Sequence, residues 1–155
     1  MIIAIGMTLL FIMGGFDLSV GSVAGFSGVM LGMAIGWGTG IIGGVLVGLG
    51  AATLVGLING LVIAKLKVNA LITTLAMMSI VRGIIYILTK GVGKPNLPDE
   101  FNRIGRAEYF GIGTPIFVAF ILMIIFGILF ARSGWFRQYY FIGGNEEAAR
   151  LSGGP

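Results

Sequence analysis

The sequence contains neither cysteine nor histidine. Without cysteine the chain cannot form a disulfide or a thiolate metal site, and without histidine it lacks the commonest catalytic base and metal ligand. Charge is also scarce, because Asp, Glu, Lys and Arg make up 10% of the residues, whereas soluble domains have about 25%. No ionisable side chain lies between Asp17 and Lys65. This run exceeds the roughly 20 residues that cross a bilayer, so the sequence predicts a membrane protein.

Five apolar segments follow one another along the chain. Hydrophobic residues make up 57% of the sequence, and the mean hydropathy is +1.03. Helices are expected, because backbone groups in lipid need internal hydrogen-bond partners and no alternating barrel pattern occurs. We therefore predict an all-α, polytopic bundle with about four to five membrane segments. The predicted segments are Ile2–Met13, Val20–Ile35, Ile41–Ala64, Ala70–Leu88 and Ile116–Phe130.

The polar residues between these segments predict the division of the chain and its orientation. We expect a transmembrane core at residues 1–131, which includes an external loop at about 90–114, and a cytoplasmic tail at 132–155. Basic residues collect on the cytoplasmic side of membrane proteins. The proposed cytoplasmic side has Lys65, Lys67, Arg132, Arg137 and Arg150, and the external side has Lys90, Lys94, Arg103 and Arg106. The basic residues lie at segment ends and form no single basic face, so we expect membrane lipid and no nucleic acid as a partner.

Small residues recur every four positions through the second and third segments. This spacing predicts grooves in which neighbouring helices approach closely, although such packing names no substrate. The positions are Gly28, Gly32, Gly36, Gly40, Gly44, Gly48, Ala52, Gly56 and Gly60. The sequence "GTGIIG" at residues 38–43 matches the dinucleotide motif, but no acidic residue follows about 20 positions later. No phosphate-binding loop occurs either, so we expect this chain to bind no cofactor or metal.

Three stretches, "GMTLLFIMGGFDLSVGSVAGFSGVM", "GLINGLVIAKLKVNALITTLAMMSIVRGI" and "GGNEEAARLSG", carry a resemblance in the same order along the chain. Together they resemble bacterial ABC-importer permeases of the ribose-type sugar family, over nearly the whole chain. The resemblance implies a multi-pass subunit of the bacterial cytoplasmic (inner) membrane with no catalytic residues of its own. It also implies a permease domain that is truncated at both ends and does not transport by itself.

The same resemblance implies partners. They are a separate ABC ATPase that holds ATP and Mg, a second permease subunit in a homo- or heterodimer, and a periplasmic or extracellular substrate-binding protein. The imported solute is then a sugar of the ribose type. Two alternatives remain open, namely a permease for another small solute such as branched-chain amino acids and a truncated fragment that binds the ATPase without transporting. An ion channel is less favoured, because no selectivity filter or ring of acidic residues is found.

The tail contains a short predicted helix. Asn145 is suited to the N-cap, Glu146 and Glu147 to the first turn, and Gly153 to the end. A helix of this length is not stable in isolation. The segment therefore needs a docking partner. The resemblance implies that this partner is the ATPase, whereas the pattern alone also fits a solvated helix beside the membrane. The predicted coupling residues are Gly144, Asn145, Glu146, Glu147, Ala148, Ala149, Arg150, Leu151, Ser152 and Gly153.

Four polar residues within the apolar region are candidates for the substrate pathway. Asp17 and Ser19 follow a glycine pair that interrupts the first apolar region, and interrupted helices often place substrate sites in transporters. Either residue also suits a cap on the next helix. Asn59 is expected to hydrogen-bond between helices. Arg82 lies about 9 Å from the end of its segment at about 1.5 Å per residue, where it can extend to the membrane surface or contact substrate.

Overall fold

The computed structural model describes residues 2–92, 97–109 and 111–133. Within these ranges the chain forms six helices and one short β-hairpin, and the five predicted apolar segments are all helical. The elements are α1 (Ile2–Ile12), α2 (Val20–Gly36), α3 (Gly40–Leu66), α4 (Ala70–Thr89), α5 (Asp99–Arg106), β1 (Glu108–Tyr109), β2 (Ile112–Gly113) and α6 (Thr114–Arg132). The predicted all-α class is confirmed. The predicted coupling residues, 144–153, lie outside the described residues.

Three of the described helices are long and apolar enough to cross a membrane. They are α3, α4 and α6, with 27, 20 and 19 residues. Their lengths are about 40, 30 and 28 Å at about 1.5 Å per residue, against a hydrocarbon core of about 30 Å. Helices α1 and α2 are also apolar but have 11 and 17 residues. The chain is therefore a multi-pass membrane protein, as the composition predicts.

A tight turn reverses the chain between α3 and α4. Lys67 adopts a left-handed conformation, with φ of 51°, at the end of α3. The side chain of Asn69 then accepts a hydrogen bond of 2.8 Å from the backbone N–H of Leu71 and caps the start of α4. This bond satisfies one of the free N–H groups that every helix start leaves. Because the connection is so short, α3 and α4 run in opposite directions.

The chain divides into two units, and the first comprises Asp17–Arg103. Helix α2 is the centre of this unit, because it packs against both α3 and α4. The buried apolar residues of the unit are Ala34 on α2, Val55 on α3 and Val81 on α4. All three helices therefore contribute to one small core.

The second unit contains the segments up to Phe16 and from Ile104 onward. In this unit α1 packs beside α6, and Phe11 meets Phe16 edge-on with ring centroids 5.0 Å apart. Strands β1 and β2 pair antiparallel directly before α6. The N–H and the hydroxyl of Thr114 both donate to the carbonyl of Ala107, at 2.8 and 2.7 Å, and so fix the start of α6.

Close packing between α2 and α3 depends on two of the regularly spaced glycines. A Cβ built on Gly48 would lie 2.9 Å from the backbone oxygen of Ser27, and one on Gly44 would lie 2.6 Å from the Ile35 side chain. The Ser27 hydroxyl also donates to the Gly48 carbonyl at 2.9 Å. The predicted close approach is confirmed at these two positions. At Gly28, Gly36, Gly40, Gly56 and Gly60 an added Cβ would meet nothing within 4 Å, so there the prediction is not borne out within the described chain.

The segment expected as an external loop contains regular structure. It contains the eight-residue helix α5 and the two short strands. Pro98 precedes α5, its carbonyl accepts from the N–H groups of Phe101 and Asn102, and Asp99 and Glu100 occupy the first turn, where the helix dipole favours negative charge. A search for long apolar runs does not detect so short and polar a helix.

Candidate functional site

A chain of hydrogen bonds joins the start of α2 to Asn59 in the last third of α3. The amide Nδ2 of Asn59 donates to Ser19 Oγ at 3.1 Å, and Ser19 Oγ in turn donates to Asp17 Oδ1 at 2.6 Å. The Ser19 backbone N–H also donates to this carboxylate oxygen, at 2.7 Å. Ser19 is 0% and Asn59 4% exposed. The structure thus brings three of the four pathway candidates together in one polar cluster, Asp17–Ser19–Asn59, and the expected interhelical hydrogen bond of Asn59 is confirmed.

The polar cluster lies beside α3 at a level before the charged residue near the end of this helix, and not at the end itself. Asn59 precedes Lys65, the first charged residue along α3, by six residues, or about 9 Å at about 1.5 Å per residue. Helix α2 begins only at Val20, beside this level of α3. The non-helical residues that precede α2 therefore lie beside the last third of α3 and not beyond its end. In membrane proteins such backbone is tolerated where protein buries it or where it lines a water-filled cavity.

Two buried polar atoms, one in this cluster and one on the next turn of α2, have no hydrogen-bond partner within the described residues. They are Asn59 Oδ1 and Ser22 Oγ, and both residues are more than nine-tenths buried. Ser22 follows Ser19 by three residues and so lies on the same face of α2. A buried polar atom without a partner costs about 1–3 kcal/mol, so such atoms commonly receive a water or a ligand group.

Neither Asp17 nor Ser19 accepts a hydrogen bond from the backbone of the first turn of α2, as a helix cap would. Ser19 occupies the N-cap position of α2, but its side chain accepts no hydrogen bond from the first turn. The Asp17 carboxylate instead binds the N–H and the hydroxyl of the N-cap residue itself. Asp17 consequently orients Ser19, and Ser19 presents its oxygen to Asn59.

Arg82 lies apart from the polar cluster. It is exposed on α4, seven residues before the end of that helix at Thr89, and makes no hydrogen bond or ion pair in the described part of the chain. The structure does not place it beside Asp17 or Asn59, so it forms a separate candidate.

Sequence reasoning missed two serines and one pocket. Ser22 and Ser27 were not singled out, because in a helix rich in small residues a serine is indistinguishable from packing alanine or glycine. The signal that identifies Ser22 is its three-residue separation from Ser19. A surface pocket of about 590 Å³ lies at the other end of the same unit, and its lining residues include Ile35, Thr39, Pro98 and Glu100. Its formation depends on α5, which the sequence did not predict.

Comparison with known proteins identifies relatives along the whole chain. The family model described as "Branched-chain amino acid transport system / permease component" matches residues 1–155. The L-arabinose transport system permease protein AraH of Escherichia coli (strain K12) is 46% identical over 153 residues, which are 99% of this chain and 47% of the relative. No solved structure matches.

Two further relatives are more distant. The ribose import permease protein RbsC of Escherichia coli (strain K12) is 33% identical over 156 residues, covering 98% of this chain and 49% of the relative. The autoinducer 2 import system permease protein LsrC of Photorhabdus luminescens is 32% identical over 152 residues, covering 98% and 46%. The chain spans about half the length of the curated relatives it matches.

Proposed function

The chain belongs to the family described as "Branched-chain amino acid transport system / permease component". On that premise we propose that it is the transmembrane subunit of an ATP-driven importer, and that the imported solute is a small sugar. The observation that carries the sugar assignment is the 46% identity to an L-arabinose permease over 153 residues. A second relative, at 33% identity, is named for ribose. Both names refer to pentoses, which are small, neutral and rich in hydroxyl groups.

The chemistry of the polar cluster suits such a solute. A neutral sugar needs hydrogen-bond donors and acceptors and no buried ion pair. Asp17 supplies a partly exposed carboxylate. Asn59 Oδ1 and Ser22 Oγ are buried polar atoms without a partner in the described residues, and a sugar would reach them only when the surrounding helices move. In our proposal these groups, with Ser19 as the positioned link between Asp17 and Asn59, contribute to the pathway that the sugar follows.

A branched-chain amino acid is the second candidate solute. It is favoured by the printed description of the matching family. Such a solute brings an ammonium group, for which Asp17 is the sole acidic residue between Met1 and Pro98. It also brings an apolar side chain and a carboxylate, so its import would be sensitive to Asp17→Asn, whereas import of a neutral sugar needs no ion pair with this residue.

The remaining partners of the importer belong to the same proposal. We propose that the chain resides in the bacterial cytoplasmic membrane, with a core at residues 1–131 and a cytoplasmic tail at 132–155. The coupling residues 144–153 dock on a separate ATPase, which binds ATP and Mg and hydrolyses ATP. A second permease subunit completes the pathway, and a binding protein delivers the sugar from outside. The sequence of the tail, with Asn145, Glu146 and Glu147 at the start of a short helix, supports the docking role.

Uptake in the host bacterium tests the solute. The gene encoding the chain is deleted, and uptake of radiolabelled L-arabinose, ribose and leucine is measured in energised cells. We expect loss of uptake of one or both sugars, restoration when the gene is supplied again, and unchanged leucine uptake. Loss of leucine uptake with normal sugar uptake would identify the amino acid, and not a sugar, as the imported solute. Normal uptake of all three would reject both solute assignments.

A further inference from the structure

The direction of each hydrogen bond in the polar cluster fixes the orientation of the Asn59 amide. The Ser19 hydroxyl has one proton, which it donates to Asp17 Oδ1 at 2.6 Å. Toward Asn59 the Ser19 oxygen can therefore only accept, and it accepts from Asn59 Nδ2 at 3.1 Å. An amide turned the other way would place Asn59 Oδ1 against an oxygen that has no proton left to donate. Asn59 Oδ1 is consequently an acceptor that Ser19 cannot satisfy.

A second buried group without a partner lies on the first turn of α2. Ser22 Oγ has no hydrogen-bond partner within the described residues, and Ser22 is 7% exposed, against 4% for Asn59. Ser19 and Ser22 are three residues apart, so they share the face of α2 to which the Asn59 amide is bound. The side chain of the N-cap residue, Ser19, gives this first turn no hydrogen bond. Polar groups that need partners are therefore collected at the start of one helix.

These groups determine the chemical class of what can bind there. Asn59 Oδ1 needs a donor, the first N–H groups of a helix need an acceptor, and the Ser22 hydroxyl can act as either. An anion brings no proton for Asn59 Oδ1 and is repelled by the carboxylate of Asp17. A cation has no lone pair for the N–H groups, which give a helix start its partial positive charge. A neutral group that both donates and accepts meets all of these requirements.

Burial decides how large this neutral group can be. Ser19 is 0% exposed, and Ser22 and Asn59 are more than nine-tenths buried. A solute of several carbon atoms would therefore need the helices to separate, whereas water is the smallest neutral molecule that donates and accepts. Buried waters in proteins typically make about three hydrogen bonds to buried polar groups that otherwise lack partners.

We propose that a buried water molecule binds between Asn59 and Ser22 at the start of α2. The water donates one proton to Asn59 Oδ1 and shares a second hydrogen bond with Ser22 Oγ. It thereby links α3 to the first turn of α2, in parallel with the direct bond from Asn59 to Ser19. The site does not depend on which solute the transporter imports.

An experimental density map of the complete transporter, at a resolution that shows ordered water, tests the site directly. We expect a peak within about 2.7–3.2 Å of both Asn59 Oδ1 and Ser22 Oγ. Absence of a peak would overturn the proposal. A direct bond between these two atoms, or a bond from Ser22 Oγ to a carbonyl of α2, would overturn it as well.

Reversible denaturation of the purified chain in mixed detergent micelles gives an independent test. The control for Ser22→Ala is Ser79→Ala, because the Ser79 hydroxyl is exposed and donates to the carbonyl of Leu75 on its own helix, at 3.2 Å. Relative to this control, Ser22→Ala should lower the ratio of folded to unfolded chain about two- to tenfold, the net effect of one lost hydrogen bond.

The same change in the Asn59→Leu background separates the water bridge from other partners of Ser22. There the water has already lost its acceptor, so Ser22→Ala should cost nothing or stabilise the chain. An equal loss in both backgrounds would place the partner of Ser22 elsewhere and reject the bridge. If Ser22→Ala is at least as stable as Ser79→Ala in the unchanged background, the Ser22 hydroxyl holds no water and the proposal is wrong.

Discussion

Replacing Gly48 by alanine should destabilise the contact between α2 and α3. The added Cβ would lie 2.9 Å from the carbonyl oxygen of Ser27 and 3.2 Å from Leu31 Cβ. The first of these atoms belongs to the backbone, so the clash cannot be relieved by rotating a side chain. The two helices must move apart, which also stretches the 2.9 Å hydrogen bond from the Ser27 hydroxyl to the Gly48 carbonyl.

The expected cost is about 1–3 kcal/mol, which is typical of overpacking in a close-packed interior. In a soluble protein the higher helix propensity of alanine would offset part of this cost. In a membrane the separated helices remain helical, so that compensation largely disappears. The free energy of unfolding is measured by reversible denaturation of the purified chain in mixed detergent micelles.

Two substitutions on the same helix give a graded comparison. Gly50→Ala places a Cβ in open space, and its effect should stay within about ±0.5 kcal/mol. Gly44→Ala would place its Cβ 2.6 Å from Ile35 Cγ1 and 3.1 Å from the backbone oxygen of Leu31, so it too should destabilise the contact by more than Gly50→Ala. If Gly48→Ala and Gly50→Ala have the same stability, the close approach at Gly48 does not hold the helices together.

Three further predictions concern the polar cluster, the topology and the tail. Ser19→Ala should cost about 1–3 kcal/mol because it leaves the buried Asn59 amide unpaired, whereas Asn59→Leu removes that whole amide and should cost less; equal losses in denaturation would contradict this reasoning. Cysteines introduced at positions 66 and 145 should be labelled from the cytoplasmic side and one at position 97 from outside, and labelling of 97 and 145 from one side would reject the orientation. Glu147→Lys should reduce copurification of the ATPase while membrane insertion stays normal, because docking interfaces depend on charge complementarity; full retention of ATPase binding and transport would make the tail a solvated helix.

The apolar helices could be predicted from sequence because few other backbone structures are stable in lipid. A backbone segment without water must satisfy its own hydrogen bonds, so a long uncharged run has one common solution. The same logic predicted that Asn59 needs an interhelical partner, and Ser19 is that partner. Helix α5 could not be predicted in this way, since it has only eight residues and starts with Pro98 and a charged first turn in place of an apolar run.

The glycine pattern on α3 shows why spacing alone does not identify a packing face. A four-residue repeat advances about 40° around a helix at each step, because each residue turns it by about 100°. From Gly48 the repeat has therefore rotated by about 120° when it reaches Gly60, which faces open space. The four buried residues of α3 are Gly44, Gly48, Val55 and Asn59.

These four residues fall within about 60° of one another at the same rotation per residue. They form one continuous seam along α3, and the contacts of Gly44, Gly48 and Asn59 all lead to α2 or its N-cap. The seam that brings the glycines against α2 thus also carries Asn59 to Ser19. Close packing at one end of the seam and the polar cluster at the other are consequences of the same face, so a change that moves α2 away from Gly48 is expected to alter the geometry around Asp17 as well.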